Sequence, residues 1–244
     1  MKNANCIKNI ESKKENFPKE WRFFPLAKAI DFNPKRELEK GRHSKFISMA
    51  DVQVFTKKIS TFSVKKFSSG KKFKNGDTIM ARITPCLENG KTSFIDFLGE
   101  GEIAAGSTEF IVLSGKKDVS DSNFVYYLSI SPSIRSMAIK TMTGTSGRQR
   151  VDNEKFANLI IALPSIIEQK QIAEILSSLD DKIELNRKIN SNLEKIASLL
   201  FKQWFVDFEF PNNNGESYKS SGGKMIDSEL GEIPEGWKIS KIGD

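Results

Sequence analysis

An α+β fold is expected for this chain: a globular domain on a mixed sheet, followed by one long α-helix. Three observations lead there. Short apolar runs broken by Gly, Asn, Asp and Pro fill the stretch from Trp21 to about Leu113. Two helical patterns and one further strand pattern follow, up to Leu163. Beyond Pro164, apolar residues recur at steps of three, four and seven, and no Gly or Pro interrupts 165–210. Strands mixed with a few helices read as α+β. The periodic stretch reads as a single amphipathic helix.

The strand patterns come first in the chain. Phe46-Ile47-Ser48-Met49 is one, and Thr78 to Ile83, Thr92 to Ile95 and Phe110 to Leu113 are three more. Gly76-Asp77 is a turn signal before its strand. Asp121 or Ser122 caps a helix carrying Phe124, Tyr127, Leu128 and Ile130. Pro132 opens a second helix with Ile134, Met137 and Ile139. A loop of small, polar and cationic residues runs from Thr143 to Arg150. Asp152 to Phe156 reads as one helical turn, and Leu159 to Leu163 as a buried strand.

The long helix carries its apolar stripe through Ile172, Leu176, Leu179, Ile183, Leu193, Leu200 and Trp204. About 40 residues at 1.5 Å each make ~60 Å, more than a small core needs. Such a helix packs on another long helix, here from a second chain, or curls round its own domain. Asn186 and Asn190 fall on or beside the stripe. Buried in a seam, they would set register and partner; on a curled helix, they face water.

The expected organisation is a flexible arm at 1–16, a globular domain at 17–164 and a helical region at 165–210. A linker at 211–228, rich in Asn, Ser and Gly, precedes a final segment at 229–244. With 244 residues, 38% hydrophobic and 18 Phe, the chain has enough apolar mass for one real core. No leader pattern and no apolar run of membrane length occurs, so a cytoplasmic protein is expected. Cys6 and Cys86 stand far apart, and with His43 they cannot supply four zinc ligands. Neither a metal nor any other cofactor is expected.

The net charge of +7 is unevenly spread. Residues 1–72 hold 18 Lys and Arg against 7 Asp and Glu, whereas 166–244 hold 10 against 14. A basic first third favours phosphate contacts; it is equally what a solvated lysine-rich surface looks like. No catalytic pattern accompanies it. Asp31-Phe32-Asn33-Pro34 lacks the second Pro and the aromatic of adenine methyltransferase motifs. Glu11-Ser12-Lys13 sits in the polar arm with no strand carboxylate beside it, His43 has no triad context, and no P-loop is present.

The chain also partly repeats itself. Pro18 and Trp21 recur as Pro234 and Trp237, each at an offset of 216, with alternating apolar residues after each Trp. Ile239 and Ile242 play that part in the second copy.

The segments Leu163-Pro164, Glu168 to Ala173, Leu179 to Asn186 and Leu200 to Phe208 together resemble the conserved helical region of type I restriction–modification specificity subunits. Ser228 to Trp237 resembles the opening of that family's second target-recognition domain. Ala81 to Lys91 and Gly106 to Phe110 resemble runs within its recognition domains. The resemblance implies a non-catalytic subunit that reads half of a bipartite target in double-stranded DNA. It implies a helix that pairs in an antiparallel coiled coil, with a methyltransferase subunit and a restriction subunit as partners. One domain and one helix depart from the family's paired plan. The chain is expected to be a half-subunit or truncated form acting as a homodimer. The other reading is a coiled-coil scaffold whose globular domain binds a ligand other than DNA.

Base readout needs forked donors and amides: Arg for guanine, Gln or Asn for adenine. Arg148, Gln149 and Arg150 supply both types beside Thr145 and Ser146, with Gly144 and Gly147 permitting close approach. They form a DNA-facing loop or a surface turn that caps the preceding helix. Arg82, Thr84, Asn89 and Lys91 flank a turn between strands, as DNA contacts or as merely exposed polar groups. Ser107, Thr108 and Glu109 accept from cytosine or cap locally. Lys35, Arg36, Arg42, His43 and Lys45 suit phosphates better than bases.

Overall fold

A computed structural model describes residues 17–145 and 147–241. The arm at 1–16, Cys6, Ser146 and Ile242 lie outside the described residues. The chain divides into two compact units between Asp180 and Asp181.

The first unit is built on two four-stranded sheets. Strands β1 (Arg22–Pro25), β2 (Ile30–Phe32), β3 (His43–Ile47), β4 (Ser63–Lys66) and β5 (Lys71–Phe73) come first, with a helical turn α1 (Leu26–Ala29) between β1 and β2. Then follow β6 (Asp77–Ala81), β7 (Thr92–Phe94), β8 (Ala104–Gly106) and β9 (Phe110–Gly115). One sheet has the order β2-β9-β6-β7 and is antiparallel throughout. The other has the order β4-β3-β8-β5, with β3 and β8 parallel, so the expected mixed sheet is present.

The centre of the first sheet explains its stability. Every residue of β6 is buried. Ile79 faces one cluster with Ile47, Phe73, Phe110 and Val112, while Met80 faces another with Ile111, Leu113 and Phe124. A strand sends successive side chains to opposite faces, so a strand covered on both sides reads as an unbroken apolar run. Ile79 to Ala81 and Phe110 to Leu113 are such runs.

Helix α2 (Ser122–Ile130) packs against β6, β7 and β9, and α3 (Pro132–Lys140) packs on α2. Asp121 caps α2 by accepting from the Phe124 amide, and Ser131 caps α3, whose first residue is Pro132. Strands β10 (Met142–Thr143) and β11 (Arg150–Val151) form a short hairpin. Asp152 caps the single turn α4 (Asn153–Ala157). Strand β12 (Ile160–Leu163) then returns to pair with β1, which brings both ends of this region together.

The long helix α5 (Ile166–Phe201) has 36 residues and continues into a π-helical turn, Lys202–Val206. Its foot is fastened to the first unit. Gln169, fully buried, donates to Val119 O at 2.9 Å and to Pro164 O at 3.0 Å, and accepts from the Asp121 amide at 3.0 Å. Glu168 accepts from the Trp21 indole at 3.1 Å. Tyr127 Oη donates to Asp180 at 2.7 Å. Ile172 and Leu176 pack on the core of the first unit. This corrects the reading of one stripe reserved for a partner helix. Those two side chains already cover the domain's own apolar surface.

In the second unit the α5 residues Ile183, Leu185, Asn186, Ile189, Leu193 and Ile196 are all exposed. Residues 211–228 carry more regular structure than their composition suggests. Asn212 organises a turn through the amides of Asn214 and Glu216, and Phe210 stacks on Tyr218 with ring centroids 4.6 Å apart. Strand β13 (Met225–Ser228) pairs with β14 (Gly231–Pro234). Trp237 stacks on Phe210. Its amide donates to Pro234 O at 3.1 Å, and the Trp21 amide donates to Pro18 O at 3.0 Å. The repeated Pro and Trp thus make the same turn twice.

Candidate nucleic-acid interface

Three segments distant in sequence are joined by backbone bonds at one edge of the first unit. The Arg82 amide donates to Glu109 O at 2.9 Å, and the Val151 amide donates to Arg82 O at 2.8 Å. The Thr84 amide donates to Gln149 O at 3.0 Å, and Ile83 faces Arg150 across an isolated bridge. The strand that leaves β6, the turn that enters β9 and the β10–β11 hairpin therefore form one surface. Arg82, Thr84, Ser107, Thr108, Glu109, Gln149 and Arg150 share it, so seven residues singled out in the sequence lie together.

The hairpin tip is shaped by glycine. Gly144 has φ of +122°, and a Cβ there would sit 3.2 Å from Arg148 O. A side chain at that position would be strained in a conformation that glycine adopts freely. Thr145, Gly147 and Arg148 are exposed at the tip.

Charge on this edge is organised around Glu109. Arg150 donates to both of its carboxylate oxygens, from Nε at 3.1 and 2.9 Å and from Nη2 at 2.9 Å. That pairing holds the Glu109 carboxyl below its usual range. Arg82 Nη2 donates to Val151 O at 3.3 Å, while its Nε, buried, finds no acceptor among the described residues. Lys71 stands next to the same group. Burial lowers its pKa first and the Arg82 cation lowers it further, against the pull of Glu109. Neither Lys71 nor the Glu109–Arg150 pair was legible in the sequence. They belong together only because β5 pairs with β8, setting Lys71 opposite Gly106 just before the Ser107 to Glu109 turn.

Lys71 also lines a cleft of about 490 Å³ with Lys35, Arg36, Lys72 and Glu37. The cations there differ in availability. Arg36 is tied to the fully buried Asp77 at 2.9 and 3.2 Å, so its guanidinium serves the fold rather than a phosphate. This corrects its reading as a phosphate contact.

Other expected contacts lie apart or are already engaged. Lys45, on the second sheet, pairs with Glu102 at 2.8 Å and sits over the rings of Phe62 and Phe97. Lys91 donates to Met49 O at 2.7 Å. Both ammonium groups therefore have internal partners, which a phosphate would have to displace. Arg42, His43 and Asn89 are exposed. Cys86 is a free, half-buried thiol against the core. Among the described residues, no group of three or more His, Cys, Asp or Glu is arranged to hold a metal, and no helix is long and apolar enough to cross a membrane.

Comparison with known proteins places this architecture in company. The family described as Type I restriction modification DNA specificity domain matches residues 18–195. The Type I restriction enzyme MjaIX specificity subunit of Methanocaldococcus jannaschii is 38% identical over 128 residues, covering 52% of this chain and 28% of that protein. The EcoAI specificity subunit of Escherichia coli is 31% identical over 182 residues, covering 71% and 31%. The chain thus spans about a third of the length of these curated relatives. The HsdS subunit from Thermoanaerobacter tengcongensis superposes with a TM-score of 0.58 at 19% identity, covering 86% of this chain and 54% of that one. The type I S subunit from M. genitalium gives 0.52 at 19% identity, covering 77% and 46%. The likeness to these two structures is one of fold.

Proposed function

Because the chain belongs to the type I restriction modification DNA specificity domain family, we propose that it is a non-catalytic specificity subunit reading one half of a bipartite site in double-stranded DNA. The observation that carries this reading is the single edge shared by Arg82, Thr84, Gln149 and Arg150. Forked donors and an amide on one rigid edge are what readout of base edges in the major groove requires. Ser107, Thr108, Thr145, Ser146 and Arg148 supply adjacent contacts. Lys35, Lys71 and Lys72, together with Arg42, Lys45, Asn89 and Lys91, serve the phosphate backbone, which positions the protein without specifying sequence.

The long helix works as spacer and pairing element. Leu179, Ile183, Leu193 and Leu200 are 39–57% exposed on α5, which favours a partner helix. In this reading a second copy supplies that helix, antiparallel, with Asn186 in the seam and Trp204 at its end. Two-fold symmetry then pairs two half-sites as a palindrome, separated by a spacer that helix length sets. A methyltransferase subunit and a restriction subunit assemble on the dimer in the cytoplasm, and no cofactor is held by this chain.

Duplex binding measured against salt tests the DNA reading. Specific binding with a steeply falling log K against log salt supports it. No binding at low salt overturns it in favour of a scaffold with a different ligand. Sedimentation of the wild type and of Ile183→Glu/Leu193→Glu tests the pairing. The wild type is expected as two chains and the double variant as one, since two charges in an apolar seam oppose association. A wild-type monomer at micromolar concentration that still binds DNA overturns the dimer.

A further inference from the structure

Arg150 and Glu109 lie 41 positions apart in sequence and meet through a specific edge of the guanidinium. Glu109 takes Nε and Nη2, at 2.9 to 3.1 Å. A guanidinium carries five N–H donors in a planar fork. Occupation of the Nε edge leaves the outer end, where Nη1 and Nη2 each point one N–H forward. Those two parallel donors match the O6 and N7 acceptors of guanine in the major groove.

The pair stands on braced backbone. Arg82 N bonds Glu109 O, Val151 N bonds Arg82 O, and Thr143 pairs with Arg150. The Arg150 side chain is 44% exposed, and its contacts with Glu109 use Nε and Nη2 alone. An exposed ion pair adds little to stability. Held in advance, however, a long side chain loses less rotamer freedom when a ligand arrives. The carboxylate also carries a disadvantage, since it opposes the approach of any phosphate backbone. A negative charge at a DNA-facing edge therefore needs a compensating use, and fixing Arg150 is one.

We propose that Glu109 is a positioning residue for base readout: it grips the Nε edge of Arg150 so that the outer edge meets one guanine of each half-site. The inference rests on the DNA-reading role given above. Removing the carboxylate then separates two quantities. Preference for that guanine falls, while affinity for unrelated duplex stays level or rises.

Selection from a random duplex library with the full chain reads both, using wild type, Glu109→Gln and Arg150→Lys. The wild type is expected to enrich a motif containing the guanine. Glu109→Gln keeps the rest of the motif and loses roughly tenfold in preference at that position. Arg150→Lys loses the same position, because an ammonium has no fork, and it serves as a second variant should Glu109→Gln lose its thermal melting transition. A Glu109→Gln chain that keeps the guanine, or binds the whole motif more tightly, overturns the inference alone. So does loss at different positions in the two variants. A wild type that enriches no motif overturns the DNA reading, and the inference with it.

Discussion

Arg36 meets Asp77 at 2.9 Å, and Arg150 meets Glu109 at the same distance. Asp77 opens β6 with its side chain fully buried, while Arg36 beside it is 16% exposed. Glu109 and Arg150 are 27% and 44% exposed at the edge of the sheet. The contacts are alike, but water separates their roles. A buried carboxylate has lost its hydration and depends on its partner, so breaking the pair is costly. An exposed carboxylate trades one hydrated partner for another at little net gain. The first arginine is committed to the fold, and the second is at liberty to serve a ligand.

The largest effect that can break this comparison is on stability. Arg36→Met leaves the Asp77 carboxylate buried without its cation and is expected to cost about 3 kcal/mol. That is the low end of the range, because the Lys74 amide still donates to Asp77 at 2.9 Å. Urea denaturation checks it, and a midpoint equal to wild type would show the buried pair to be dispensable. Gln169→Leu extends the buried side of the comparison to the foot of the helix. It strands the Asp121 amide and the Val119 and Pro164 carbonyls, and about 2 kcal/mol is expected in the same assay.

On the exposed side the expected changes are small. Arg150→Ala is expected to leave the urea midpoint close to that of wild type, yet it weakens binding to the selected site. A large loss of stability would place Arg150 with Arg36. The smallest effect is in pH. Glu109 is held below its ordinary value of 4.5, chiefly by its hydrogen bonds with Arg150. Its contribution is therefore present in full above that value and lost as pH falls through the lower folded-state value. The melting difference between wild type and Glu109→Gln is expected to be flat near neutrality and to close only under acid conditions.

Much of the local structure was legible because it depends on near neighbours. Asp121, Ser131 and Asp152 accept from amides two or three residues on, so each helix start is written within one turn. The short apolar runs within β6 and β9 announced strands, without saying that both faces would be covered. The site was legible in part. Gln149 and Arg150 drew notice by chemistry, but nothing near them in the chain names Glu109 or Lys71. The helix shows the same limit. Its stripe marked apolar positions without saying that Ile172 and Leu176 face the home domain while Leu193 is exposed.

Capping residues and periodicity by themselves determined the α+β class and the single long helix after the globular domain, while the motifs along that helix carried the family resemblance. These follow from interactions that close over a few residues. Tertiary structure alone decided the parallel pairing of β3 with β8, the seating of Arg36 on Asp77 and the grip of Glu109 on Arg150. Each joins residues dozens of positions apart. Which of two chemically identical arginines is left open to solvent depends on how much water the surrounding fold excludes, and that is set only when the sheets and helices have packed.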